Sequence, residues 1–120
     1  MYDDMNEWFE LWFSQTITRR LTSVNGRGLV WCPQWWRHNE VVLRLDSLWR
    51  AWEGARMSDD PSAMSGWWIY HADSHLRVLL DSQAGPMFRC SKDEHVKPEA
   101  LAHQVVCVPP GWTSSGSRSR

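Results

Sequence analysis

The chain has 120 residues, 42% of them hydrophobic, with 13 basic and 14 acidic side chains and a net charge of −1. That length suits one domain. The charge is even along the chain, nine acids and seven bases in residues 1–60 against five acids and six bases in residues 61–120, which excludes nucleic-acid binding by overall field alone.

The first element is a helix over residues 4–21. Met5, Trp8, Phe9, Trp12, Phe13, Ile17 and Leu21 recur at spacings of three and four. Asp3, Asp4, Glu7 and Glu10 open it and Arg19 and Arg20 close it, the order that suits the helix dipole. Residues 22–38 form a connection with turn signals at Asn25-Gly26 and Gly28, and Pro33 keeps Cys32 extended. Trp31, Trp35 and Trp36 crowd this segment, so it is expected to fold back onto the helices.

A second helix runs from about Asn39, a favourable N-cap residue, to about Met57, with Val41, Val42, Leu45, Leu48, Trp49 and Trp52 on its apolar face. Its charged face mixes both signs, the pattern of a solvated surface. Asp59-Asp60-Pro61-Ser62 breaks the chain. A third helix, capped by Ser62 or Ser65, extends to about Leu80. Trp68, Ala72, His75 or Leu76, and Leu79 trace one stripe; Trp67, His71, His75 and Val78 trace the next.

From Asp81 the periodicity fades. Gly85-Pro86 marks a turn, Pro98 opens a short helical turn through His103, and Val105 to Pro110 reads as extended. The expectation is an all-α fold: a small domain of about three helices, residues 1–112, with an irregular C-terminal segment packed on them. The Ser/Arg tail, residues 113–120, has no means of packing and is expected to be disordered. No internal repeat is visible.

Ten tryptophans are several times ordinary usage, each rigid and bringing one N–H that needs a partner when buried. By spacing, Trp8, Trp12, Trp49, Trp52 and Trp68 belong to a core, and Trp35 and Trp36 are read as core first and as exposed anchors in the alternative. Cys32, Cys90 and Cys107 are odd in number and far apart, which argues against a disulfide scaffold and for a reducing cytoplasm. Met1-Tyr2-Asp3-Asp4 offers no basic, apolar leader, and every apolar run is far short of a membrane span.

Several strings stand together: Trp31-Cys32-Pro33-Gln34-Trp35-Trp36-Arg37-His38, Leu48-Trp49-Arg50-Ala51-Trp52-Glu53, and Met64-Ser65. Trp67-Trp68, His71-Ala72-Asp73-Ser74-His75, Cys90 and His95, and Pro109-Pro110-Gly111-Trp112 follow. Over residues 6–112 the chain resembles an uncharacterised actinobacterial family, domain of unknown function four-nine-one-three. The resemblance implies a phage or mobile-element setting and carries no established activity. Ser74 stands where many relatives are expected to have proline, and serine leaves the third helix free to continue.

The candidate chemistry is metal binding. His71 and His75 lie four apart on one helix face, and Cys90 and His95 lie five apart in a turn-rich segment, together a donor set suited to structural zinc. Cys32 and His38 form a competing pair that can join Cys90 and His95 instead. Zinc here would pin the irregular C-terminal segment, which has few apolar residues of its own. A protease-type site lacks its glutamate, since Ala72 follows the first histidine. No phosphate loop, nucleophile elbow or serine triad order is present. The reading is therefore a non-enzymatic accessory protein that binds a host or element-encoded protein through Trp31, Trp35, Trp36, Arg37 and Trp112. A nucleic-acid-binding factor using arginine and tryptophan is the alternative, and a metal-dependent hydrolase a more distant one.

Overall fold

The computed structural model describes residues 1–22 and 27–115. The Asn25-Gly26 turn signal and residues 116–120 of the tail lie outside the described residues. Helix α1 is continuous over an α-helical Met5–Trp8, a π-helical Phe9–Phe13 and an α-helical Ser14–Thr16. Asp4 caps it by accepting a hydrogen bond from the Glu7 N–H at 2.8 Å, while the Glu7 carboxylate accepts one from the Asp3 N–H, also at 2.8 Å. Two otherwise unpaired donors are thereby satisfied.

The helix ends at Thr16 and not near residue 21. Ile17 is already extended (φ −77°, ψ 121°), although its N–H still bonds to the Phe13 carbonyl. Thr16-Ile17-Thr18 is a run of β-branched residues, poor helix formers at a frayed end. Arg19 and Arg20 thus lie beyond the helix, and Leu21 is exposed, bridged in its backbone to Leu29.

Helix α2 is Asn39–Met57, with Val41, Leu45, Leu48 and Trp52 buried at spacings of four, three and four. Arg44–Glu40 and Arg50–Asp46 pair along its outer face, each at 2.9 Å. Helix α3 runs through Ala63–Gly66, a π-helical Trp67–Ala72 and Asp73–Leu79 without a break at Ser74. Ser62 stands at its N-cap, held by Asp60, whose carboxylate accepts from both the Ser62 N–H and its hydroxyl at 2.8 Å.

The π turns explain which tryptophans are buried. In a regular α-helix, residues five apart point roughly 140° away from each other. Widening one turn brings them to the same side. Trp8 and Phe13 meet in this way at 4.8 Å, and Trp67 and Ala72 are both buried. The expected Trp68–Ala72 stripe is therefore replaced by Trp67, Ala72, Leu76 and Leu79, with Trp68 half-buried at its margin.

Trp8, Trp52 and Trp67 fill the centre of the three-helix contact, and Trp12 lies 5.1 Å from Trp52 and 5.9 Å from Trp67. Trp67 Nε1–H donates to the Leu48 carbonyl at 3.0 Å. The buried indole N–H groups of Trp8, Trp49 and Trp52 find no hydrogen-bond acceptor among the described residues. Trp8 packs perpendicular to Trp67 (88°), an arrangement that sets an electropositive ring edge against a π face.

The connection packs back as the sequence suggests. Phe9 stacks on Trp31 at 5.7 Å and meets Trp35 at 4.5 Å. Leu29 bridges to Asp81, and the Val30 N–H donates to the Leu80 carbonyl at 3.0 Å, tying this segment to the end of α3. Beyond α3, Met87 and Cys90 are buried and Val96 packs against the core. Packing of the C-terminal segment stops there: residues 99–115 are exposed throughout, including a 3₁₀ turn at Leu101–Gln104. The radius of gyration is 17.9 Å, against about 14 Å for a compact chain of this length. Among the described residues there is no strand, and no helix is long and apolar enough to cross a membrane.

Candidate metal centre

Three irregular pieces of chain converge at one end of the helices. The first is the extended stretch through Val30 and Cys32, fixed by its bond to Leu80. The second is the 3₁₀ turn Trp35–Arg37, which ends with the His38 N–H bonded to the Trp35 carbonyl at 3.0 Å. The third is the turn after Cys90, where Ser91 and Glu94 exchange two backbone bonds, at 2.9 and 3.2 Å, and set Cys90 and His95 side by side.

His38, not Asn39, occupies the N-cap of α2. It has extended geometry, and its carbonyl accepts the Val42 N–H at 3.1 Å. No side chain caps this end. A histidine at a position that favours Ser, Thr, Asp or Asn signals that its ring is wanted elsewhere.

That ring faces the other pieces. Cys32, His38, Cys90 and His95 each bring one donor atom, and these four atoms all lie within 4.8 Å of one another. Cys32 Sγ is 3.2 Å from His95 Nδ1, and Cys90 Sγ is 3.5 Å from His38 Nε2. The two imidazoles pack edge to face at 4.7 Å. Cys32, Cys90 and His38 are buried, and His95 is half-buried. Sulfur and nitrogen ligands at zinc bond lengths of about 2.3 and 2.0–2.1 Å sit roughly 3.4–3.8 Å apart around a tetrahedron. The two sulfur–nitrogen distances of 3.2 and 3.5 Å stand near those separations, and all four donors stay within 4.8 Å.

Surrounding groups orient the donors. The Pro86 backbone hydrogen-bonds the His38 ring, whose Nε2 faces Cys90 Sγ. The Val96 N–H donates to Cys90 Sγ at 3.3 Å, a bond that favours thiolate. The Cys32 N–H meets the thioether of fully buried Met87 at 3.4 Å. A Cβ at Gly85 would collide with the Val78 and Asp81 carbonyl oxygens, so only glycine lets the chain pass close under α3 and deliver Pro86 and Met87.

Without a cation the cluster is electrostatically uncomfortable. Burial, then the neighbouring His95 and Arg37, lower the His38 pKa, so its ring is neutral at pH 7. Burial pushes the Cys90 thiol up to about 11, and Cys32 and Glu94 add to the rise against the opposing Val96 N–H. A divalent cation reverses this, because it accepts neutral imidazole and stabilises thiolate.

The structure places Cys90 and His95 with Cys32 and His38, the pair read as competing, and not with His71 and His75. His71 is exposed on the π turn of α3. His75 is half-buried, with Nδ1 accepting from the Arg44 guanidinium at 3.0 Å. Burial, Arg44 and His71, in that order, lower its pKa. Of the aromatic set read as partner-binding, Trp35 is buried and serves the core, and Trp31 is half-buried on Phe9. Trp36, Arg37 and Trp112 are exposed. Met87 and Val96, which contact the donors, carry no signal in the sequence, and Pro86 is read there only as part of a turn. Near-equal Cys-to-His spacings, six and five residues in two turn-rich segments, were the available signal for the ligand set.

Comparison with known proteins gives a family and no more. A family model described as Domain of unknown function (DUF4913) matches residues 2–109. No curated protein and no solved structure matches.

Proposed function

The chain belongs to this uncharacterised domain family, and we propose that it is a zinc-stapled, non-enzymatic accessory protein acting by protein–protein interaction. The observation that carries the reading is the buried set of four donor atoms within 4.8 Å. A set of two thiolates and two imidazoles selects zinc over harder divalent ions. With all four positions filled by protein, zinc has no place left for water or substrate, so its role is structural. Cys32, His38, Cys90 and His95 hold it, and it fastens the segment after α3 to the start of α2.

Exposed apolar side chains support the interaction half of the reading. Trp36 is 58% exposed and Trp112 51%, and Leu101, Val105, Val106 and Val108 are exposed between the staple and Trp112. Tryptophan and arginine are favoured anchors of protein interfaces. Arginines of α2 are in contrast occupied: Arg44 and Arg50 pair with acids, and Arg56 lies over the Trp52 ring. That favours a protein partner over nucleic acid. The strings that carry the family resemblance support a setting in an actinobacterial phage or mobile element, with a host or element-encoded partner in the bacterial cytoplasm.

Metal analysis of dialysed protein tests the staple: one zinc per chain is expected, and a folded, metal-free protein ends the reading. Affinity purification from an actinobacterial host tests the partner, comparing the native chain with Trp36→Ala and Trp112→Ala. A protein recovered by the native chain and lost with either variant supports the reading. Recovery of nucleic acid alone, released by salt, overturns it in favour of the nucleic-acid alternative.

A further inference from the structure

The two sulfurs of the centre are not equivalent. Both are free thiols, and their Sγ atoms lie within the same 4.8 Å. Cys32 is wholly buried behind the cluster. Cys90 borders a cleft of about 630 Å³, formed with Gln83, Arg89, Ser91, Glu94 and other residues of the same turn. Of the two cysteines Cys90 lines this cleft and Cys32 does not, so Cys90, although only 2% exposed, is the sulfur next to solvent. That is the arrangement of an attacking thiolate with a resolving thiolate at hand.

We propose that Cys90 and Cys32 make the metal centre a peroxide-sensitive switch, in which hydrogen peroxide converts the zinc dithiolate into a disulfide and expels the metal. The inference rests on the zinc reading above. Cys90 thiolate attacks one peroxide oxygen, the O–O bond breaks, and the departing hydroxide takes a proton to become water. The resulting sulfenic acid is attacked at sulfur by Cys32 thiolate. The S–S bond forms, the S–O bond breaks, and the second hydroxide leaves as water after protonation. The two sulfurs give up two electrons, peroxide accepts them, and zinc departs from two neutral imidazoles it can no longer hold with thiolate help.

The outcome is a looser C-terminal part rather than a general collapse. The disulfide keeps residue 90 tied to residue 32, which is itself bonded through Val30 to the end of α3. His95 loses its metal bond, and residues 91–96 are then held only by the Ser91–Glu94 pairing and the partial packing of Val96, which open more readily without it. Lys92 is exposed there and is followed by Asp93, so trypsin cleavage after it reads the change directly.

The test uses zinc-loaded full-length protein carrying Cys107→Ser, which removes the exposed third thiol. Zinc content is measured first, and then zinc release, intact mass and peptide maps are followed during titration with hydrogen peroxide. The expected result is one zinc released per disulfide, loss of two hydrogens from the mass, a Cys32–Cys90 cross-linked peptide, and faster cleavage after Lys92. Dithiol reductant with added zinc should restore the starting state. Peroxide that leaves zinc bound, or oxidation that only adds oxygens to Cys90, overturns the switch and spares the zinc reading. Absence of zinc before peroxide is added sinks both.

Discussion

The two ends of the molecule are held together by different physics. At one end, α1, α2 and α3 bury Trp8, Trp52 and Trp67, with the Trp8 ring 6.0 Å from Trp52 and 6.4 Å from Trp67, and helix packing provides the order. At the other, residues 27–38 and 81–98 have no helix or strand ladder of their own beyond one 3₁₀ turn and isolated bridges. Four donor atoms converge there, and in the zinc reading proposed above the metal adds cohesion to the packing of Val30, Met87 and Cys90. A short chain with few apolar residues after residue 80 can keep an irregular segment in place by metal ligation where packing area is lacking. The boundary between the two regimes runs through His38, whose backbone starts α2 and whose ring joins the cluster.

Removing the metal is expected to separate the two ends most strongly. Structural zinc contributes about 10–16 kcal/mol in small zinc-finger peptides. Chelation, or Cys90→Ser, should abolish hydrogen-exchange protection around residues 87–96 while the centre of α2 stays protected. Loss of protection in both regions together would mean that the aromatic core does not stand without the staple. Trp52→Ala attacks the opposite end and is expected to cost about 3–5 kcal/mol, as truncations of large buried aromatics do. Denaturant melts should show that loss with the zinc content of the folded protein unchanged.

Gly85→Ala should cost about 1–3 kcal/mol by forcing a methyl group against two carbonyls. Because Pro86 and Met87 follow, its zinc affinity should fall as well, which competition with a chromogenic chelator measures. pH acts on the metal-free protein through the buried imidazoles. His38 and His75 have folded-state values below the ordinary 6.5, so the unfolded chain binds more protons as pH drops below 6.5. Their contribution is therefore intact above that pH and is lost as pH falls through the lowered folded values. Urea melts of metal-free protein between pH 7.5 and 5 should show stability falling in that direction; a flat profile would contradict the burial of both rings. Trp36→Ala, at an exposed site, should shift stability by no more than about 0.5 kcal/mol while affecting partner capture.

Much of the helical end was legible in the sequence because period and packing agree there. The Val41–Leu45–Leu48–Trp52 stripe of α2 is read directly, as are Trp8 and Phe13 in α1. The π turns were not legible: a widened turn leaves no signature in apolar spacing, so Trp68 read as core and Trp67 as its neighbour, and the structure exchanges them. Thr16 to Thr18 carried the information that α1 stops early, and the Arg19-Arg20 pair pointed the other way.

At the cluster, ligand types were legible and ligand partners were not. His71 and His75 share a helix face, a local relation that sequence displays. The convergence of Cys32 and His38 with Cys90 and His95 depends on the bond between Val30 and Leu80 and on the close passage at Gly85. Those are tertiary facts with no local pattern. Trp35 and Trp36 show the same division, since adjacent residues on a 3₁₀ turn point about 120° apart, here one to Phe9 and one to solvent.

X-ray absorption at the zinc edge of purified, zinc-loaded protein tests the central claim most directly. The account predicts one zinc per chain with two sulfur neighbours at about 2.3 Å and two nitrogen neighbours at about 2.0–2.1 Å, and no bound water. A shell of nitrogen and oxygen without sulfur, or one sulfur and an open position, would contradict it.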